Sequence, residues 1–185
     1  PKSSGNINNV SVVMKHKDWH SRLGESTRNI IGDIYQGLPI DEPNFKFFHT
    51  KPKQFSGFLR HSRNIICFQK DTINKFTIYK DLYSKPQLFF LIQGEDEGVL
   101  TNYLTENKTL IINTIKEGER KEKIRRINKS PSKSNILREK MRIDLIYPSV
   151  YKKAKDTLNF VWLEKQILKG TLNIISYRLP LSALS

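Results

Sequence analysis

Two adjacent carboxylates, Asp41 and Glu42, lie in the stretch GLPIDEPNF between Gly37 and Phe45. Paired acids can bind a cation or move protons, but a cation site needs several convergent oxygens. The same nine residues hold Pro39 and Pro43, which fix φ and push the residues before them toward extended geometry. Gly37 frees the exit of a preceding helix. Gly37, Pro39, Asp41, Glu42 and Pro43 therefore read as a stiff, structural helix-to-strand connection. The histidines are His16, His20, His49 and His61. His16 and His20 are four apart, but Asp18 is placed to cap the helix that follows, which leaves His16 outside it. A metal site needs both on one face with a further ligand, so no metal ligands are assigned. Cys67 sits among Ile65, Ile66 and Phe68, the setting of a buried structural thiol rather than a reactive one. The motifs of serine hydrolases, zinc proteases and nucleotide binders do not occur. With no recognised nucleophile arrangement, no catalytic residue and no cofactor are assigned, and a non-catalytic role is preferred.

The strongest signal is basic. The chain has 185 residues, with 32 Lys and Arg against 18 Asp and Glu, a formal charge of +14. From Lys116 to Arg142 there are eleven Lys and Arg and four Glu, so half of the excess lies in this stretch. Arg120, Lys123, Arg125, Arg126 and Lys129 would form an anion-binding face at the end of a long helix, with phosphates as the natural target. The same charges would also suit a solvated helix C-terminus with Glu–Arg neighbours three or four apart. No RNA-recognition signature accompanies them.

These residues must be held by a core, and an apolar fraction of 37% is enough to build one. No apolar run approaches the length of a membrane span. Residues 1–6 read as a flexible lead-in. Asn8–Met14, Phe45–Thr50, Asn64–Gln69, Lys75–Lys80 and Gln87–Gln93 read as strands. Trp19, Leu23, Ile30 and Ile34 fall at helical spacing. Glu95, Asp96 and Glu97 suit a helix N-terminus, and the stripe Leu100, Leu104, Ile111, Ile115 extends one long amphipathic helix to Ile127. SPSKS, Ser130–Ser134, breaks it. A short helix over Asn135–Lys140, a strand over Arg142–Tyr147 and a hairpin of Phe160–Lys165 with Leu172–Tyr177 follow. Trp19 and Trp162 are assigned to the core.

The pattern predicts an α+β fold, a mostly antiparallel sheet with helices packed on one face and ferredoxin-like strand–helix–strand units. A single domain over 7–185 is expected, with two possible halves at about 7–80 and 81–185.

The order and spacing of several short motifs resemble a family of Bacteroidota envelope lipoproteins known as a domain of unknown function. They are SSG at Ser3–Gly5, VVM at Val12–Met14, Trp19, GLP-x-DEP-x-F at Gly37–Phe45 and RNI at Arg63–Ile65. KPQ at Lys85–Gln87, GER at Gly118–Arg120, Pro148 with Tyr151, and FVWL at Phe160–Leu163 complete the series. The resemblance implies a precursor with a signal peptide ending in a lipid-modified cysteine just upstream of PKSSGN, and a natural chain continuing beyond residue 185. It implies a cell-envelope location, outer membrane included, with a lipid anchor as the membrane partner. It transfers no catalytic residues. The expected function is a non-catalytic binding or scaffolding module that meets an anionic envelope polymer or lipid headgroups. The alternatives are a nucleic-acid-binding domain using residues 116–142, which an envelope location disfavours, and a hydrolase whose active site is shared with a region further along the chain.

Overall fold

The computed structural model describes residues 1–34 and 42–180. The chain forms two compact units, Pro1–Lys121 and Glu122–Ser185. In the first, strands β1 (Asn9–Val13), β2 (Lys46–Thr50), β3 (Asn64–Lys70), β4 (Lys75–Lys80) and β5 (Leu88–Gly94) make one sheet in the order β2-β1-β3-β5-β4. Helices α1 (His16–Trp19), α2 (Arg22–Ile31), α3 (Glu97–Glu106) and α4 (Lys108–Ile127) accompany it. A boundary at residue 80 would fall between β4 and β5, which pair with each other along their whole length.

Strands β1, β3 and β5 are apolar on both faces, the pattern of strands covered on both sides. Val10, Val12, Ile66, Phe68, Phe90 and Ile92 point to the helix side. There they meet Leu23 and Ile31 of α2, Leu100 and Leu104 of α3, and Ile111 and Ile115 of α4. Val13, Ile65 and Phe89 point to the other side and pack with Phe55, between the 3-10 turns Pro52–Gln54 and Gly57–His61, and Tyr83, in the loop before β5. The helices that pack on this sheet therefore share one face, as the stripe of apolar residues requires. Gly24 lets α2 begin against the backbone of Trp19, whose carbonyl oxygen would lie 2.0 Å from an added Cβ.

The fold is mixed α+β. The expectation of a mostly antiparallel sheet holds for β4–β5 and for the second unit, but β1–β2, β1–β3 and β3–β5 are parallel. The reason is connectivity. The chain returns from β1 through α1 and α2 before entering β2, a crossover that restores strand direction. β4 takes the sheet edge, so β5 slots in beside β3 running the same way.

In the second unit, α5 (Ile136–Met141) packs against the sheet β6 (Lys152–Asp156), β7 (Phe160–Ile167) and β8 (Gly170–Tyr177). Leu137 and Met141 meet Tyr147, Val161 and Leu163 in a separate small core. β7 is central, and Gly170 at φ 144° makes the turn into β8.

Several local expectations are corrected. The long helix over 95–127 is two helices, because Asn107 ends α3 with its amide donating to Tyr103 O and its side chain taking the same carbonyl. Asp18 lies inside α1, and Ser21 occupies the N-cap of α2. Arg142–Tyr147 is not a strand. Arg142 adopts left-handed geometry, and Ile143 N–H donates back to Leu137 O, closing α5 instead. A strand–helix–strand unit running from β5 into a strand over Arg142–Tyr147 is therefore missing, and with it the second of the expected ferredoxin-like units. β6, sequence KKAKD, carries no apolar signal and went unpredicted. Residues 1–6 are not loose: Ser3 N–H donates to Lys85 O and Ser4 N–H to His61 O. Trp162 lies on the open face of its sheet rather than in the core.

The first unit is tied by a buried ion pair. Arg63 is 5% exposed and Glu119 1%. Arg63 Nε donates to Glu119 Oε1 at 2.7 Å and Nη2 to Oε2 at 3.1 Å. The carboxylate also accepts from Asn64 Nδ2 at 2.6 Å and from the amide of Asn8 at 2.8 Å. Arg63 Nη2 reaches Asn6 O as well. At the opposite ends of these strands, Asp96 caps α3 by accepting from Val99 N–H. Glu97 reaches across to cap α2 through Leu23 N–H at 3.0 Å.

Removing one partner of the buried pair strands the other charge, so Glu119→Leu or Arg63→Met should each cost about 3–5 kcal/mol in urea unfolding. The double replacement should cost much less than the sum. The Ser21 hydroxyl, then the Leu23 amide, hold the Glu97 carboxyl below its ordinary range. A carboxylate with a lowered folded-state pKa stabilises fully above the unfolded value and loses that contribution as pH falls through the folded value. Glu97→Gln should therefore flatten the acid limb of the stability curve from about pH 4.5 downward, as measured by thermal melts.

Candidate functional site

The second unit concentrates positive charge. Residues 122–185 contain fourteen Lys and Arg against five Asp and Glu, a net +9 of the chain's +14. Local structure turns part of that charge toward a groove. Pro131 and the serines of SPSKS end the helical run, and Pro131 forms a bridge with Pro148. Ser132 N–H donates to Tyr147 O and Ser149 N–H to Ser130 O, so two backbone segments lie side by side. Beside them is a groove of about 450 Å³ whose lining includes Ser132, Ser134, Ser149, Lys133, Lys152 and Lys153, with the serine hydroxyls also taking local hydrogen bonds. Hydroxyl donors with ammonium groups suit phosphate, sulfate or carboxylate oxygens. Lys153 is partly neutralised by Asp156 at 2.8 Å, and Asp156 also takes Lys140. Those two lysines hold the Asp156 carboxyl below its ordinary range. Lys133 makes no ion pair among the described residues.

The five cations singled out in sequence lie on the last turns of α4 and just beyond it. Arg120 grips Glu117 with two hydrogen bonds, 2.8 and 2.9 Å, which pull that carboxyl down to about 2. Arg125 and Arg126 share Glu122. Three of the five are therefore engaged three or four residues along their own helix, while Lys123 and Lys129 are exposed. Sequence reasoning missed Lys152 and Lys153, because a polar edge strand has no apolar rhythm. It counted Lys133 in the basic stretch without placing it.

The other candidates fall elsewhere. Gly37, Pro39 and Asp41 of the proline-clamped loop lie outside the described residues. Glu42 and Pro43 are exposed, and Pro43 bridges Ile34 just ahead of the buried Asn44 and Phe45. His16 is the first residue of α1, not outside it, and contacts His20 at 4.5 Å between ring centres. His49 stacks on Trp19 at 4.6 Å, with Arg28 also over that indole at 4.8 Å. Desolvation, then His20, Lys51 and His49, hold His16 below the ordinary histidine range. His49 Nε2 donates to Met14 O at 3.0 Å. Among the described residues no three His, Cys, Asp or Glu side chains converge as metal ligands. Among them, too, no helix is long and apolar enough to cross a membrane. A second groove of about 500 Å³ lies in the first unit beside β1 and β2. Arg63 is at its wall, but its guanidinium is consumed by Glu119.

The geometry is that of a two-unit α+β protein with a hydroxyl- and lysine-lined groove in its basic unit. Residues 3–128 match a family described as a domain of unknown function (DUF8532), and the chain belongs to that family. Residues 130–185 match a second domain of unknown function (DUF4837). The junction of the two matches falls at the end of α4, close to the boundary between the compact units. No curated protein and no solved structure matches the chain.

Burial pushes the Cys67 thiol up to about 11. A thiol held that far above neutral pH is a poor nucleophile. Cys67 should react with a maleimide at pH 7 at least about a hundredfold more slowly in the native chain than in urea, as followed by mass spectrometry.

Proposed function

We propose that the chain is a non-catalytic binding module of the cell envelope that holds an anionic polymer or lipid headgroup through its second unit. One observation carries this reading: net charge +9 within residues 122–185, with exposed lysines around a hydroxyl-lined groove. Cations on a surface with few acids raise the local concentration of polyanions and speed their capture. The motif series from Ser3 to Leu163 supports the envelope location, with attachment through a lipidated cysteine upstream. The five cations of 120–129 contribute a diffuse field, with Lys123 and Lys129 its exposed members, and Lys133 stands at the groove.

The test is titration of the chain with inorganic polyphosphate over a range of salt. Binding should weaken as salt rises, with log affinity linear in log salt. Replacing Lys123, Lys129 and Lys133 by Glu should weaken binding at least about tenfold and reduce the slope. Absence of binding at low salt, or a slope unmoved by the three substitutions, would sink the reading. The envelope location is tested by mass spectrometry of the native N-terminal peptide from membranes, where a diacylglyceryl-cysteine is expected.

A further inference from the structure

The sheet β6–β7–β8 buries one face on α5 and leaves the other open. Opposed residues in register share a face. Lys155, Trp162 and Ile175 lie in one row, Phe160 and Tyr177 in the next, and Lys152, Glu164 and Asn173 on the other side. Val161 and Leu163, the alternate residues of β7, are the buried ones. The open face is thus half aromatic and apolar, half polar. Tyr177 is 62% exposed and Ile175 54%. Trp162 Nε1 donates to Asn173 Oδ1 at 2.9 Å, which fixes the indole against the sheet. Lys155 makes no ion pair among the described residues.

We propose that this face docks an acidic polysaccharide, a chain of pyranose rings carrying carboxylates. The proposal deepens the anionic-polymer reading and rests on it. Three features select the occupant. Aromatic rings on a strand surface offer apolar area to the C–H face of a sugar ring, as aromatic side chains do for other flat partners. The hydroxyl of Thr171 and the carboxylate of Glu164 lie on the same face, beside an Asn173 amide held between Trp162 and Thr171, and their remaining hydrogen-bonding capacity suits sugar hydroxyls. Lys155 on edge strand β6 supplies the charge complement to a carboxylate. Aromatics also stack on bases, so single-stranded nucleic acid is the competing occupant, and it is the envelope reading that favours the polysaccharide.

The full chain is titrated with alginate, a polyuronate, and in parallel with neutral dextran and with oligo(dT), following tryptophan emission and heat. Alginate should bind and shift the emission, with dextran and oligo(dT) at least about tenfold weaker. Tyr177→Ala and Ile175→Asn, both at exposed positions, should each weaken alginate binding at least about tenfold at an unchanged melting temperature. If Tyr177→Ala unfolds the chain, Ile175→Asn decides. Unchanged alginate affinity in these variants overturns the proposal. Should Lys133→Glu still lower that affinity, the anionic-polymer reading survives and the sheet face alone is lost. Tighter binding of oligo(dT) than of alginate, lost on Tyr177→Ala, makes the face a nucleic-acid platform and also overturns it. No binding to any of these or to polyphosphate removes both readings.

Discussion

Glu119 sits on α4 more than fifty residues from Arg63, yet the two carboxylate oxygens meet the guanidinium, the Asn64 amide and the Asn8 backbone inside the first unit. A charge this deep is tolerable only when its hydrogen-bonding capacity is filled. The pair consequently sets three things at once: where α4 crosses the sheet, how β3 begins, and how residues 5–9 lead into β1. Two of the motifs that mark the family resemblance, RNI and GER, are the two halves of this one contact. KPQ has a similar explanation. Gln87 is buried and gives both amide protons to Arg60 O and Ser62 O, while its oxygen accepts from Tyr83 N–H. These motifs are therefore read as architecture.

The first unit is nearer to charge balance, with eighteen Lys and Arg against thirteen Asp and Glu, a net +5, and some of its cations are engaged internally. Arg63 serves Glu119, Arg28 covers Trp19, and Lys70 lies 3.7 Å from the buried Asp18. The second unit differs in kind. Its small core of Leu137, Met141, Tyr147, Val161 and Leu163 leaves most strand positions of β6 and β8 facing solvent. Lysines are abundant there, and acids are too few to neutralise them. Charge left over after folding is what long-range attraction acts on.

The glutamates of α4 temper that attraction where the sequence placed it most strongly. ERKEKIRR looks like a bare cationic face, but Glu117 and Glu122 each hold arginines at helical spacing. The Glu117 pairs are exposed and contribute little to stability, whereas the Glu122 carboxylate is itself buried. Their effect is to blunt the local field, which shifts the weight of the basic surface toward Lys123, Lys129, Lys133 and the lysines of β6.

Much of the fold was legible in the sequence because burial follows period. Runs such as NIICFQ and LFFLIQ declare strands covered on both faces, and the stripe at Leu100, Leu104, Ile111 and Ile115 declares the helix side. Gly170 declared the hairpin, and Asp96 the start of α3. What the sequence could not decide was partnership. Whether β3 lies parallel to β5, whether Arg142–Tyr147 finds a strand to pair with, and whether KKAKD becomes one all depend on neighbours far along the chain. The same holds for the sites. Charge and aromatic content were visible as totals. Only tertiary structure decided that Arg63 and Glu119 cancel each other in the interior and that Trp162 faces outward beside Tyr177. The physical reason is that periodicity records how much of a residue is covered, while the identity of what covers it is set by long-range contacts.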